Sequence, residues 1–352
     1  MRVTSNTLLG TAGLGLLAAL VAGMALAAPA ANSDLQVLQR WKVGGAGGWD
    51  YLTLDAAGKR LFVSRATRVD VVSTDTGKII GTIPNTLGVH GIALAEDSKR
   101  GYTSNGKANS VTMFDSESLA VIREVKISAQ NPDAILYEPV GKHVFTFNGK
   151  SKDVTVLDAA SLEVVATLPV PDKPEFAVDD GNGHIFVNIE SDAGQMTVID
   201  SRKLSVLRTF ALPGCASPSG LAIDRIHHRL FSVCDGKTMA VTDAESGKQV
   251  ARVPVGDGPD AAAFDSKRGL VFSSNGDGTL TVVRQDTADR YTVQTTVATQ
   301  RGARTMALDA TTGKVYAVTS DFGPPPAATA EQPHPRPVSV PDTFTVLVVG
   351  AR

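Results

Sequence analysis

The chain has 352 residues, 43% hydrophobic and 20% charged, with a formal net charge of −2. This is globular composition, long enough for one large or two ordinary domains and for a full core. The near balance of acids and bases gives no overall basic footprint for nucleic acid and leaves only local patches open.

The N-terminus runs from Met1-Arg2 through the apolar stretch "LLGTAGLGLLAALVAGMALA" to Ala27-Ala28-Pro29-Ala30, the order of a secretory signal peptide. Residues 1–31 are read as that signal, cleaved near Ala28 to Ala31, with an uncleaved anchor as the alternative. The mature chain is then periplasmic or secreted, and no other segment is apolar for long enough to span a membrane. In an oxidising compartment the two cysteines, Cys215 and Cys234, are expected as a disulfide rather than a redox or metal pair. Closing a loop of about 20 residues, it adds roughly 3 kcal/mol in the chain-entropy model.

After the leader one pattern recurs seven times, roughly 40 to 45 residues apart. The copies are "WDYLTLD" from Trp49, "VHGIALA" from Val89, "PDAILYE" from Pro132, "PEFAVDD" from Pro174, "PSGLAID" from Pro218, "PDAAAFD" from Pro259 and "ARTMALD" from Ala303. Each continues through a turn into a second strand such as "KRLFVS" or "GHIFVN". An alternating third strand such as "DVTVLD" follows, and most units end in a fourth such as "EVVATL". Four short strands per unit, separated by Gly, Asp, Asn and Pro, make a propeller blade. The seventh unit ends on its third strand, "TFTVLVVG", so "LQVLQRWKV" at 35–43 is expected to supply the fourth and close the circle. The fold class is therefore all-β, a seven-bladed β-propeller over residues 32–352. Its recurring Phe62, Tyr102, Phe145, Phe186, Phe231, Phe272 and Tyr316 are expected between blades.

The stretches "SNGKANSVTMFDSESLAVI", "DVTVLDAASLEVVATLPV" and "VTDAESGKQVARVPVGDGPDAAAFD" resemble the YVTN-repeat, YncE-like seven-bladed propellers of bacteria. The resemblance covers nearly the whole mature chain. It implies a WD40-like scaffold and no particular chemistry, because the repeat is shared by proteins of different roles.

First strands line a propeller's channel, so equivalent positions converge. Asp50, His90, Asp133, Glu175, Ser219, Asp260 and Arg304 are in register and are expected at the channel mouth as ligand-binding groups. Strand-two exits on the same face add Arg65, Asn105, Asn148 and Asn275, together with Ile189, Cys234 and Thr319. Clustered carboxylates repel unless a cation is present, and oxygen-rich clusters select hard divalent ions. Asp133, Glu175 and Asp260 are thus candidate ligands for Ca, Mg, Mn or Zn, with His90 favouring the transition metals. Arg304 offers the alternative of neutralising the acids without metal, or of gripping an anionic ligand. The Pro-rich stretch 321–342 interrupts the seventh unit after its second strand and is expected as a lid, binding loop or solvated excursion.

On the opposite face the turns before strand two are basic, as at Lys59-Arg60, Lys99-Arg100 and Lys267-Arg268, and are expected to be solvated. No nucleophile elbow, metalloprotease helix motif or phosphate loop occurs. "GGAGG" at 44–48 is read as the passage from the closing strand into the first blade. The leading function is a monomeric ligand-binding or protein-interaction scaffold using the channel mouth. The alternative is a metal-dependent lactone or ester hydrolase or lyase, since the chain is similar in general architecture to gluconolactonase-like and virginiamycin-lyase-like propellers. In that reading His90 is the general acid or base and Arg304 steadies the oxyanion. Nucleic-acid binding is a third class, raised by the resemblance rather than the charge balance.

Overall fold

Beyond the leader the apolar runs are short and bounded by turn-forming residues, which suits strands, and the described residues form strands of four to nine residues. The computed structural model describes residues 35–329, 335 and 337–352, and the expected leader at 1–31 lies outside them. Its strands form seven antiparallel four-stranded sheets with no helix among the described residues, and therefore no helix that could cross a membrane. The architecture is the seven-bladed β-propeller. The first strands, Leu52–Asp55, Val89–Ala95, Pro132–Glu138, Lys173–Asp179, Leu221–Asp224, Pro259–Asp265 and Thr305–Asp309, lie beside one another around the channel.

The N-terminal strand Gln36–Lys42 pairs antiparallel with Thr345–Gly350 as the outermost strand of blade 7. Gln36 is opposite Gly350 and Lys42 opposite Thr345, so the two ends of the propeller chain share one sheet. The core lies between blades: Phe145 and Val154 of blade 3 pack with Ile185 and Val187 of blade 4, and Phe62 of blade 1 meets Phe114 of blade 2 at 6.0 Å. The recurring strand-two aromatics are all buried, as their place in the repeat implies.

The polar residues of the repeat have internal work. The Asn105 amide donates to Ser110 and Thr112 at 3.1 and 2.9 Å while accepting from Thr103 at 2.9 Å. Asn148 makes the same knot with Thr146, Asp153 and Thr155, and Asn275 with Ser273, Thr279 and Thr281. Each ties strand two to the start of strand three and satisfies a buried amide on both ends. At the other end of the blades, the acid closing strand one caps the following turn. Asp55 accepts from the Gly58 amide and binds Arg60, and Asp265 does the same for Lys267 and Arg268. The basic turns are thus partly neutralised in place.

Arg65 is completely buried. Its guanidinium donates to the carbonyls of Gly44, Gly45, Ala46 and Gly47 at 3.0 to 3.3 Å, sits 3.7 Å over the Phe344 ring and lies 3.9 Å from Asp70. The glycine-rich passage is therefore wrapped around a cation, with Gly44, Gly45 and Gly47 at positive φ. Arg65→Ala leaves these carbonyls without a donor and is expected to lower unfolding free energy by about 3 kcal/mol, measured by urea denaturation.

Candidate functional site

The channel-mouth positions converge, and their backbones are set by a layer of buried side chains behind them. Ser64 Oγ accepts from the Asp50 amide at 2.8 Å, and Ser104 Oγ accepts from the Gly91 amide at 2.9 Å and donates to the Asp133 carbonyl. Asn188 donates to the Ser219 carbonyl at 2.8 Å, and Ser274 to the Arg304 carbonyl. A polar residue just inside the end of strand two thus fixes the ring position of its own blade or the next.

Three groupings result. In the first, His90 Nδ1 lies 2.5 Å from Asp50 Oδ2 and 3.6 Å from Asp133 Oδ1. One ligand atom from each of these three residues falls within 4.8 Å of the others, a spacing that can surround one cation. In the second, Lys173 Nζ bridges Glu175 and Glu190. In the third, Arg304 Nε lies 3.3 Å from Asp260 Oδ2, and Ser219 Oγ donates to Asp260 Oδ1 at 2.9 Å.

This differs from the sequence reading in two respects. Asp133, Glu175 and Asp260 do not form one metal site, because Glu175 is paired with Lys173 and Asp260 with Arg304; among the described residues Asp133 instead groups with Asp50 and His90. Arg65, Asn105, Asn148 and Asn275 are fully buried in the knots described above and present no surface to a ligand. Ile189 and Thr319 are buried as well, and Cys215 and Cys234 form the disulfide, both buried, at a Cα separation of 5.1 Å.

Four contributors were not foreseen. Lys173 stands two residues before the ring position, where the other blades have Gly48, Gly88, Asn131, Ser217, Gly258 and Gly302. Glu190 ends a second strand that is one residue longer than its equivalents. Tyr51 and Phe176 follow Asp50 and Glu175, at a position that is Gly, Ala or Thr in every other blade. Their rings lie 5.4 Å apart, and the Tyr51 hydroxyl lies 3.5 Å from Glu175 Oε2. Blades 1 and 4 are not neighbours, so this contact spans the channel and gives the acid site an aromatic floor.

Electrostatics follow from burial and crowding. Burial pushes the Asp133 carboxyl up to about 6, with His90 pulling it down and Asp50 pushing it up. Burial, the hydrogen bond with Glu190 and the charge of Asp133 push Glu175 up to about 9, so it keeps its proton at neutral pH. Asp260 is raised by burial despite the opposing Arg304 charge. Burial disfavours the His90 imidazolium, but the hydrogen bond to Asp50 and the charges of Asp133 and Asp50 outweigh it and raise its pKa. The Tyr51 hydroxyl is held well above its usual value by burial and then by the surrounding acids. Beside Asp50 and His90 lies a cavity of about 380 Å³ whose lining includes Lys107, Asn131 and Lys150, so the mouth is acidic at its centre and basic at this edge.

These shifts act in one direction on stability. Between the ordinary glutamate value and about 9, folded Glu175 holds a proton that the unfolded chain has released, so stability falls as pH rises through that window. Asp133 acts likewise up to about 6 and Asp260 in the same direction, and the stabilisation from His90 is lost as pH rises through its raised folded value. The melting temperature is expected to fall between about pH 5 and about pH 9, and to fall less in Glu175→Gln, as followed by thermal denaturation across that range.

No family model and no curated protein matches this chain. Among solved structures it is similar to hydrazine synthase of Kuenenia stuttgartiensis, with TM-score 0.69 and 17% identity over 84% of this chain and 96% of that one. It is also similar to the RRP9 WD40 repeats, with TM-score 0.73 and 11% identity over 91% of this chain and 98% of that one. A chain of the mitotic checkpoint complex aligns with TM-score 0.72 and 13% identity over 97% of this chain and 99% of that one. At these identities the likeness is one of fold, that of the WD40-like seven-bladed β-propeller.

Proposed function

We propose that the protein is a YVTN/YncE-like binding propeller of the periplasm or cell exterior, which engages a ligand or protein segment at its channel mouth and holds a divalent cation there. One observation carries this reading: different blades deliver Asp50, His90, Asp133, Glu175, Asp260 and Arg304 to adjoining groupings around the channel mouth, where a structural repeat could have used a single residue type. The apolar leader and the buried disulfide support an oxidising location. WD40-like neighbours support an interaction scaffold in general. Two carboxylates and an imidazole suit manganese, zinc or iron better than calcium. A bound ion would replace the His90 Nδ1 proton, so affinity rises with pH until that proton is gone.

Hydrolysis or elimination on a lactone or ester is the second reading, favoured by the grouping of Asp50, His90 and Asp133 near an arginine on the same circle. His90 cannot be both ligand and general base through Nδ1, so in that reading it would hold the ion with Asp50 and Asp133, and the ion would supply Lewis acidity and activation of water.

Metal analysis and titration calorimetry on the purified protein, beside Asp50→Asn/Asp133→Asn, test both readings. The expected result is one tightly bound ion per chain, lost in the variant, with no multiple turnover of lactones or esters. Sustained metal-dependent turnover would favour the enzyme, and no stoichiometric ion together with a higher melting temperature in the variant would remove the cation from the proposal.

A further inference from the structure

A second cavity of about 550 Å³ opens on the same face between blades 6, 7 and 1, a volume usual for small-molecule sites. Trp49, Phe322, Arg301 and Arg304 line it, and Pro337 and Ser339 of the Pro-rich insertion form its outer side. The insertion is fastened at its stem. Gly323 donates to the Val338 carbonyl at 2.9 Å, Val340 donates to the Asp321 carbonyl at 2.7 Å, and Phe322 pairs with Ser339. Phe322 stands 6.1 Å from Trp49, which rests on Phe344 at 5.2 Å and so on the buried Arg65. Gly302, at φ 80, makes the seat: a Cβ there would come within 2.6 Å of the Phe322 ring.

Among the described residues the lining contains two guanidinium groups and no carboxylate. Arg301 is exposed and has no ion pair among the described residues. Arg304 uses Nε on Asp260, which leaves the outer nitrogens of its fork for another acceptor. A cation is disfavoured here. An inorganic anion would satisfy the arginines but leave most of the volume and both aromatic faces unused.

The geometry points to a binding site for a small planar carboxylate, its ring against Trp49 and Phe322 and its carboxylate on Arg301 and Arg304. The site uses other side chains than the grouping of Asp50, His90 and Asp133, and the two adjoin at Trp49.

Calorimetry on the purified protein with benzoate, indole-3-acetate, benzamide and inorganic phosphate tests the inference. At least one of the two carboxylates should bind, more weakly as salt rises, and lose about tenfold or more in affinity in Arg301→Gln and in Arg304→Gln. Benzamide and phosphate should bind more weakly by a similar factor, and Asp50→Asn/Asp133→Asn should not lose carboxylate binding, since it removes nearby negative charge and leaves both arginines in place. Arg301→Gln is the decisive variant because its side chain makes no ion pair among the described residues. No carboxylate binding up to about 10 mM, unchanged affinity in Arg301→Gln, or phosphate binding as tightly as the carboxylates would overturn the assignment.

Discussion

Closure of the circle is the constraint on which the site depends. A propeller with a gap would separate blade 7 from blade 1, and with them Arg304 from Asp50 and Arg301 from Trp49. The chain meets this with the pairing of Gln36–Lys42 on Thr345–Gly350 and with Arg65, whose hydrogen bonds hold residues 44–47 against blade 1 while its face stacks on Phe344 of blade 7. The same cation therefore joins the two blades between which the circle is sealed. Two sheets with complementary edges pair without special side chains; the glycine passage needs one because its carbonyls have no sheet partner.

At the centre, the molecule concentrates acid and then manages it in three ways. His90 and Arg304 each compensate a neighbour, Lys173 is shared between two glutamates, and Glu175 keeps its proton. Burial makes each of these necessary, because an unpaired carboxylate on an aromatic floor would be costly. The least completely compensated carboxylates are those around His90, which is where a cation would relieve the most repulsion.

The fold was legible in the sequence because each unit repeats the same order of apolar runs and turn residues, and seven aligned copies reinforce a pattern that one copy leaves ambiguous. The channel-mouth circle was legible for the same reason: register carries from blade to blade, so Asp260 identifies its equivalents. Register says which residues share a level and not which of them touch. Glu175 looked like a metal ligand until Lys173, two residues earlier, was seen to reach it. Asn105, Asn148 and Asn275 looked available because asparagine at a strand exit is usually a surface turn residue. Their partners, Thr112, Thr155 and Thr281, lie on the next strand and turn them inward. The departures from the repeat were the better guide, since a lysine where other blades have small or neutral residues, and aromatics at Tyr51 and Phe176, mark the places where the channel is specialised.

The seam in blade 7 also bears on how the chain acquires its shape. Its outermost strand begins at Gln36 and its partner ends at Gly350, so a hydrogen-bonded ladder joins the first and last strands of the propeller. Six blades are formed from neighbouring segments and can assemble as the chain lengthens, but the seventh cannot be completed until the final strand is present. Until then the growing molecule is an open arc with an unpaired edge at each end, and long-range pairing of this kind is slow to form and open to wrong partners. Loss of a few residues from either closing strand, Gln36–Lys42 or Thr345–Gly350, would therefore act on the whole circle, leaving a bare sheet edge far in sequence from the cut.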